Sequence, residues 1–87
     1  MLKKGSKGED VTALQQKLGQ LGFALTPDGA FGGQTDEAVR KLQTMFGYTV
    51  DGIVGPGTQK LIDAQIGYGW NVNAPDAAKR ATDSQKK

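Results

Sequence analysis

The sequence predicts an all-α protein, a compact bundle of three short helices joined by glycine-rich loops. In three separate stretches, apolar residues recur three and four positions apart, which places them on one face of a helix. A glycine follows each stretch, and glycine is the residue that most easily takes the left-handed conformation found at helix ends. The connections are too short or too rich in glycine for strands. We expect strand content near zero, or confined to a residue or two around 48–54.

The first helix is predicted over residues 9–21. Ser6 and Glu9 stand three residues apart, a spacing typical of a capping box, in which two side chains satisfy backbone N–H groups at a helix start. Gly22 is well suited to end the helix. The face predicted to be buried is formed by Val11, Leu14, Leu18 and Leu21.

The second and third helices are predicted over residues 34–46 and 57–66. Gly47 and Gly67 are expected to end them. Pro56 suits the start of the third helix, because a first-turn residue has no use for its N–H. The inward faces are predicted to consist of Ala38, Val39, Leu42, Met45 and Phe46 in the second helix, and of Leu61, Ile62 and Ile66 in the third.

The chain divides into a folded module, residues 1–70, and a polar segment, residues 71–87. From residue 76 onward the sequence has no large apolar residue. A dozen such residues form at most a marginal helix on their own in water. We therefore predict that residues 71–87 are a mobile tether that leads to a catalytic domain.

The composition excludes several kinds of active site. The 87 residues suffice for one domain, and they include neither cysteine nor histidine. Disulfides, thiolate or histidine zinc sites and histidine-dependent triads are therefore excluded. Residues 1–70 carry seven basic and seven acidic side chains, so no basic face for nucleic acid is expected. No apolar run approaches the roughly 20 residues of a membrane span, and no hydrophobic signal region follows the first lysines.

One eight-residue unit occurs twice. Residues 28–35 and residues 51–58 share the pattern Asp-Gly-x-x-Gly-x-x-Thr, and each copy leads into a predicted helix. Asp-Gly is turn sequence, because the aspartate side chain bonds nearby backbone and the glycine accepts a positive φ. The repeat therefore combines turn formation with the start of a helix.

The order and spacing of these residues resemble the peptidoglycan-binding type 1 domain over roughly residues 3–66. The resemblance implies a three-helix orthogonal bundle that anchors bacterial and phage cell-wall hydrolases. Matrix metalloproteinase propeptides have a similar fold, but they inhibit through a cysteine that this chain lacks. The matching residues are Gly8-x-Asp10-Val11-x-x-Leu14-Gln15-x-x-Leu18-x-x-Leu21-Gly22-Phe23, then Asp28-Gly29-x-Phe31-Gly32-x-x-Thr35-x-x-Ala38-Val39-x-x-Leu42-Gln43, then Val50-Asp51-Gly52-Ile53-Val54-Gly55-x-x-Thr58-x-x-Leu61.

The candidate ligand site is a shallow groove formed by the two Asp-Gly loops and the adjoining ends of the second and third helices. Its glycines would expose backbone N–H and C=O groups to a polymer rich in hydroxyls, amides and carboxylates. Tyr68 and Trp70 are further aromatic candidates at its edge. The candidate ligand-binding residues are Asp28, Gly29, Phe31, Gly32, Thr35, Tyr48, Asp51, Gly52, Gly55 and Thr58.

Most of these residues also have a structural interpretation. Asp28 and Asp51 would be a glycosidase pair only at a separation of about 5–9.5 Å with one raised pKa; a turn role fits them better. Phe31 and its counterpart Val54 are predicted to be core anchors, and the two threonines to satisfy backbone groups in the first helical turns. Two further repeated side chains, Gln15 and Gln43, are expected to bond a loop carbonyl in preference to a glycan.

We predict a non-catalytic module that binds peptidoglycan, through the glycan strand or the stem peptide, and anchors a linked hydrolase. The parent is expected to be a phage endolysin that carries the module at its N-terminus, is made in the host cytoplasm and acts at the wall after release. No metal or other cofactor is expected, and the module should be monomeric. The alternatives are an inhibitory or protein-binding module that docks on its own catalytic domain, and an enzyme that cuts the wall by itself.

Overall fold

The fold of the described residues consists of four α-helices. The computed structural model describes residues 1–85, with helices α1 (Glu9–Gln20), α2 (Gly33–Met45), α3 (Pro56–Tyr68) and α4 (Ala77–Gln85). The all-α prediction is confirmed, and the first three helices begin within one residue of their predicted starts. The predicted number of helices is corrected from three to four, because α4 lies in the segment predicted to be a tether. None of the described helices is long and apolar enough to cross a membrane.

The first three helices end in the same way. Each is followed by a glycine of positive φ, at 95°, 73° and 72°. The next residue then donates its N–H to a carbonyl five positions earlier, the Schellman arrangement that satisfies the last carbonyls of a helix. The prediction for Gly67 is wrong, because α3 continues through it to Tyr68 and its terminating glycine is Gly69. The terminating glycines are Gly22, Gly47 and Gly69, and the donors are Phe23, Tyr48 and Trp70.

The helix starts use backbone geometry instead of side-chain caps. The residues ahead of α1, α2 and α3 are all glycines, and none of these starts has a side-chain capping bond. The predicted capping box is wrong, since the Ser6 hydroxyl accepts the Lys3 N–H at 3.1 Å instead. Glu9 and Asp10 nevertheless lie in the first turn of α1, where the positive end of the helix dipole favours them.

The predicted helix faces form one hydrophobic core. The leucine and valine face of α1 is almost completely buried, as are the corresponding positions of α2 and α3. Met45 and Ile66 are only partly buried and pack against the edge of this core. The buried apolar side chains are Val11, Leu14, Leu18, Leu21, Phe31, Ala38, Val39, Leu42, Phe46, Val54, Leu61, Ile62, Trp70, Ala77 and Ala81.

Residues 2–8 form a strap, with a turn at Lys4 and Gly5, that connects both Asp-Gly loops. At one end, Leu2 exchanges backbone hydrogen bonds with Val54 at 3.1 and 2.7 Å. At the other end, the strap bonds both the N–H and the C=O of Phe31, each at 2.9 Å. These contacts amount to isolated bridges, and residues 1–85 contain no β-strand, as predicted. The strap thereby holds the two loops along one side of the molecule.

The segment after α3 is folded, in contrast to the predicted tether. Trp70 is buried, its ring packs edge-on against Phe46 at 5.1 Å, and its indole N–H donates to the carbonyl of Ala77 at 3.0 Å. The backbone of Val72 bonds that of Leu21 at 2.8 Å. The tether prediction is therefore corrected for residues 71–85; its last two residues, 86 and 87, lie outside the described part of the chain.

Helix α4 docks through small side chains. Ala77 and Ala81, four positions apart on one face, are buried, and α4 contacts α2. The Arg80 guanidinium also donates to the carbonyl of Tyr68 at 3.1 Å, across the end of α3. Alanine presents little apolar area but lets a helix approach its neighbour closely. For this reason a segment without large apolar residues still has a buried face.

Candidate functional site

The first Asp-Gly loop, residues 26–32, is held by one buried glutamine of α1. The amide nitrogen of Gln15 lies 3.1 Å from the Asp28 carboxylate, 3.0 Å from the Ala30 carbonyl and 3.0 Å from the Thr35 hydroxyl. The amide oxygen of Gln15 accepts the Gly29 N–H at 2.9 Å. We call this arrangement the Gln15 clasp. It joins α1, the loop and the first turn of α2 through one side chain.

The second loop, residues 49–55, repeats the arrangement with Gln43 of α2. The amide nitrogen of Gln43 lies 3.0 Å from the Asp51 carboxylate, 3.1 Å from the Ile53 carbonyl and 3.4 Å from the Thr58 hydroxyl. Its amide oxygen accepts the Gly52 N–H at 3.1 Å. The Gln43 clasp therefore matches the Gln15 clasp bond for bond. The prediction that both glutamines bond a loop carbonyl is confirmed.

Both aspartates are turn residues with a lowered pKa. The Asp28 carboxylate accepts the Ala30 N–H at 3.0 Å, and this bond followed by that of Gln15 holds the pKa of Asp28 below its ordinary value. The same two kinds of bond, from Ile53 and then from Gln43, lower the pKa of Asp51. A general acid needs a raised pKa. The geometry thus favours the structural interpretation of both carboxylates.

These shifts predict a loss of stability in acid. Because the pKa of each aspartate is lower in the folded than in the unfolded chain, its contribution is fully present above the unfolded value of about 3.9 and disappears as pH falls through the folded value. We expect the unfolding free energy, from urea titrations between about pH 5 and pH 2, to fall with pH. In the double variant Asp28→Asn/Asp51→Asn this fall should be smaller, and an unchanged slope would contradict the assignment.

Several candidate ligand residues are scaffold residues. Phe31, Thr35 and Thr58 are 2%, 1% and 6% exposed. Both threonine hydroxyls accept a glutamine amide N–H, whereas the sequence predicted that they would satisfy backbone groups. Gly52 is buried beneath Arg40, and a side chain there would collide with that guanidinium. The structure places these four residues beneath the surface.

The remaining candidates are at the surface but do not share one pocket. Asp28 and Gly32 are exposed and line a small recess of about 100 Å³ at the start of α2. Gly55 belongs to a different groove, against α1. Tyr48 is 41% exposed at the end of α2. Two recesses thus lie at the two loops, and neither Gly29 nor Asp51 lines them; a groove common to both loops stays a prediction.

The groove at Gly55 has a volume of about 510 Å³ and lies between α1 and the start of α3. None of the residues of its α1 wall was among the predicted ligand residues. Four positions of that helix, spaced as one helical face, line the groove together with two residues of α3. The site prediction was based on the repeated loops. The α1 wall is not part of the repeat and lies on the same helix face as the buried Leu14. The lining residues are Met1, Leu2, Asp10, Ala13, Leu14, Lys17, Val54, Gly55, Pro56 and Gln59.

The described residues include no cluster suited to a metal ion. Within residues 1–85, no three Asp or Glu side chains lie close enough together to act as ligands. Asp36 instead pairs with Arg40 at 3.1 Å, and Lys17 pairs with Asp63 at 2.8 Å. The Lys17–Asp63 pair is solvated on both sides, whereas Asp36 is partly buried beneath Arg40. The Lys17–Asp63 pair joins α1 to α3 beside the groove.

Comparison with known protein families gives one match that covers most of the chain. The model of a family described as "Putative peptidoglycan binding domain" matches residues 7–62. The matched range contains both clasps, the two Asp-Gly loops and nearly all of the groove. It ends before Trp70 and α4.

Curated relatives are cell-wall enzymes much longer than this chain. N-acetylmuramoyl-L-alanine amidase CwlL of Bacillus licheniformis is 45% identical over 67 residues, which are 74% of this chain and 19% of the amidase. A spore cortex-lytic enzyme of Halalkalibacterium halodurans is 46% identical over 69 residues, 78% of this chain and 21% of that enzyme. The chain thus spans about a fifth of the length of these relatives.

Two solved structures have the same fold. The SleB N-terminal domain superimposes with a TM-score of 0.71 at 38% identity, covering 75% of this chain and 90% of that domain. A fused zinc-dependent amidase/peptidase with a peptidoglycan-binding domain, from Clostridium acetobutylicum, gives a TM-score of 0.70 at 44% identity over 71% of this chain and 28% of that protein.

Proposed function

Since the chain belongs to this family of peptidoglycan-binding domains, which occur in cell-wall hydrolases, we propose that it binds peptidoglycan and anchors a linked hydrolase to the wall. The family match over residues 7–62 carries the proposal, because it spans both Asp-Gly loops, both clasps and nearly all of the groove. A module tethered in this way raises the effective concentration of the enzyme at its polymer, so modest intrinsic affinity suffices.

The chemistry of the site supports binding in preference to catalysis. Asp28 and Asp51, the carboxylates that invite a glycosidase interpretation, are both bonded into turns and have a lowered pKa. The sequence supplies neither histidine nor cysteine as a base or nucleophile. In the proposed arrangement the hydrolytic residues belong to the linked domain.

The parent protein is proposed as a cell-wall hydrolase in the broad sense. The relatives are bacterial amidases and spore cortex-lytic enzymes, and none of those described above supports the predicted phage endolysin. The endolysin origin and the route by which the chain reaches the wall stay predictions. Action at the wall follows from the proposed ligand, whereas the monomeric state stays a prediction.

Co-sedimentation with purified sacculi tests this function. We expect the fraction of the 87-residue chain in the pellet to rise with sacculus concentration and to saturate. Cellulose serves as a control polymer, and an unrelated basic protein of similar size measures adsorption by charge. If the chain stays in the supernatant at low salt and high sacculus concentration, the proposal is wrong. Binding to an isolated hydrolase domain instead of sacculi would select the inhibitory module.

A further inference from the structure

The groove between α1 and α3 has the size and the lining of a ligand site. Its volume of about 510 Å³ lies in the range of about 300–1,000 Å³ that small-molecule sites occupy. The floor is aliphatic, formed in part by Leu14 and Val54, which are 1% and 2% exposed. The rim carries an amide at Gln59 and two charged groups of α1. Apolar walls with a few polar groups are typical of sites that orient a specific ligand.

The two charged groups stand at a defined spacing along the groove. Asp10 and Lys17 are two helical turns apart on the same face of α1, a distance of about 10 Å at a rise of 1.5 Å per residue. Asp10 makes no ion pair within residues 1–85. Lys17 uses one of its three N–H donors on Asp63, in a solvated pair that is easily shared with a further carboxylate. One end of the groove thus offers a carboxylate and the other an ammonium.

This spacing fits a short extended peptide. A chain of three residues spans about 10 Å at 3.3–3.6 Å per residue, so an amine at one end and a carboxylate at the other would reach Asp10 and Lys17 together. The groove lining contains no aromatic ring, and an aromatic face is the side-chain surface that offers a sugar ring a broad apolar area. Small aliphatic side chains such as those of alanine would instead meet the apolar floor. The lining therefore matches a peptide better than a sugar chain.

We propose that this groove binds the stem peptide of peptidoglycan, with an amine of the peptide at Asp10 and a carboxylate at Lys17. The proposal rests on the function proposed above and names the part of the polymer that is recognised. In this arrangement the ligand site is the face of α1 opposite Gly55, and the repeated Asp-Gly loops act as its scaffold. Of the residues first considered as ligand contacts, Gly55 alone lines this groove.

Amide titrations by NMR test the site and the ligand together. The probe is a synthetic tripeptide that copies the free end of the stem peptide, with a blocked α-amine, a free side-chain amine on its first residue, two alanines and a free C-terminal carboxylate. We expect its chemical-shift changes to centre on Ala13, Leu14, Val54 and Gln59. Ala13→Trp should fill the groove and weaken binding at least tenfold. Gln16→Trp is the matched control on the same helix, because this exposed residue does not line the groove, and it should bind as the unmodified chain does.

A second binding experiment tests the contact between the peptide amine and Asp10. Acetylation of the tripeptide amine should weaken binding to the unmodified chain severalfold. The same modification should have no effect on the Asp10→Asn variant, because the partner of the amine is gone. Circular dichroism verifies that all variants keep their helices. If acetylation weakens binding to both proteins equally, the assignment of Asp10 is wrong.

The outcomes separate this inference from the proposed function. If the chain pellets with sacculi but the tripeptide causes no chemical-shift changes, the proposed function still holds and the peptide site is wrong. Shifts in the groove caused by peptide-free glycan strands, or peptide-induced shifts confined to residues 26–32, would overturn it as well. If the chain binds neither sacculi nor the tripeptide, both the proposed function and the peptide site are wrong.

Discussion

Replacing Trp70 with alanine is expected to destabilise the domain by about 3–5 kcal/mol, the usual cost of truncating a buried aromatic residue. The ring is 2% exposed, packs on Phe46 at 5.1 Å and on Phe23 at 6.4 Å, and bonds the backbone of α4. Small domains have total stabilities near the lower end of about 5–15 kcal/mol. Urea unfolding followed by circular dichroism should therefore show a largely unfolded population at moderate temperature.

Trp70→Phe separates packing from hydrogen bonding. The phenyl ring keeps most of the apolar contact but leaves the Ala77 carbonyl without its indole donor, at a cost of about 1–3 kcal/mol. Lys79→Ala, at an exposed position of α4, is the control and should stay within about 0.5 kcal/mol. An unfolding midpoint of Trp70→Ala equal to that of the unmodified chain would mean that residues 70–85 do not dock.

Replacing Gln15 with alanine is expected to destabilise the domain by about 2–4 kcal/mol, because each buried partner left unpaired costs about 1–3 kcal/mol. The variant loses contacts to Asp28, Ala30 and Thr35 and leaves the Gly29 N–H without its acceptor. Amide hydrogen exchange should also accelerate at Gly29, since that N–H donates only to the clasp. Urea titration measures the first effect and NMR exchange the second.

The neighbouring Gln16 provides the control for the clasp. It is exposed, and Gln16→Ala should change the unfolding free energy by no more than about 0.5 kcal/mol. The equivalent pair Gln43→Ala and Asp51→Ala should be non-additive by about 0.5–3 kcal/mol, because both substitutions remove the same bond. Strict additivity of that pair, or a Gln15→Ala variant as stable as Gln16→Ala, would refute the clasp.

The sequence predicted most of the fold through its large apolar side chains and its glycines. Leucines at three- and four-residue spacing determine which face of α1 is buried, and Gly22 and Gly47 mark helix ends because only a positive φ fits there. Gly67 was misleading because a helix tolerates an isolated glycine at modest cost. The true terminator, Gly69, stands two residues later.

The folding of the C-terminal segment could not be predicted from the spacing of apolar residues and glycines. Ala77 and Ala81 bury little area, so α4 has an almost entirely polar composition that is typical of solvated sequence. Its docking depends on Trp70, whose partners Phe23 and Phe46 come from distant parts of the chain. Contacts of that kind follow from the assembled fold and not from local spacing.

The candidate site was predictable only in part. The repeat correctly indicated Asp28 and Asp51 as turn residues, and Gln15 and Gln43 were correctly expected to bond loop carbonyls, but the bonds between these glutamines and the aspartates were not predicted. A repeat reveals residues that the scaffold needs twice, whereas a ligand groove needs its residues only once. Asp10, Lys17 and Gln59 have no counterparts in the repeat, and their convergence requires α1 and α3 to be packed side by side.

The clasps also bear on how the chain folds. The bonds of Gln15 span 13 to 20 residues and those of Gln43 span 8 to 15, so both loops can close before distant segments meet. Closing short loops costs little chain entropy, and topologies dominated by local contacts fold in microseconds to milliseconds. The strap, which pairs Leu2 with Val54, closes the longest loop and belongs to the final step. Folding would therefore complete the groove last.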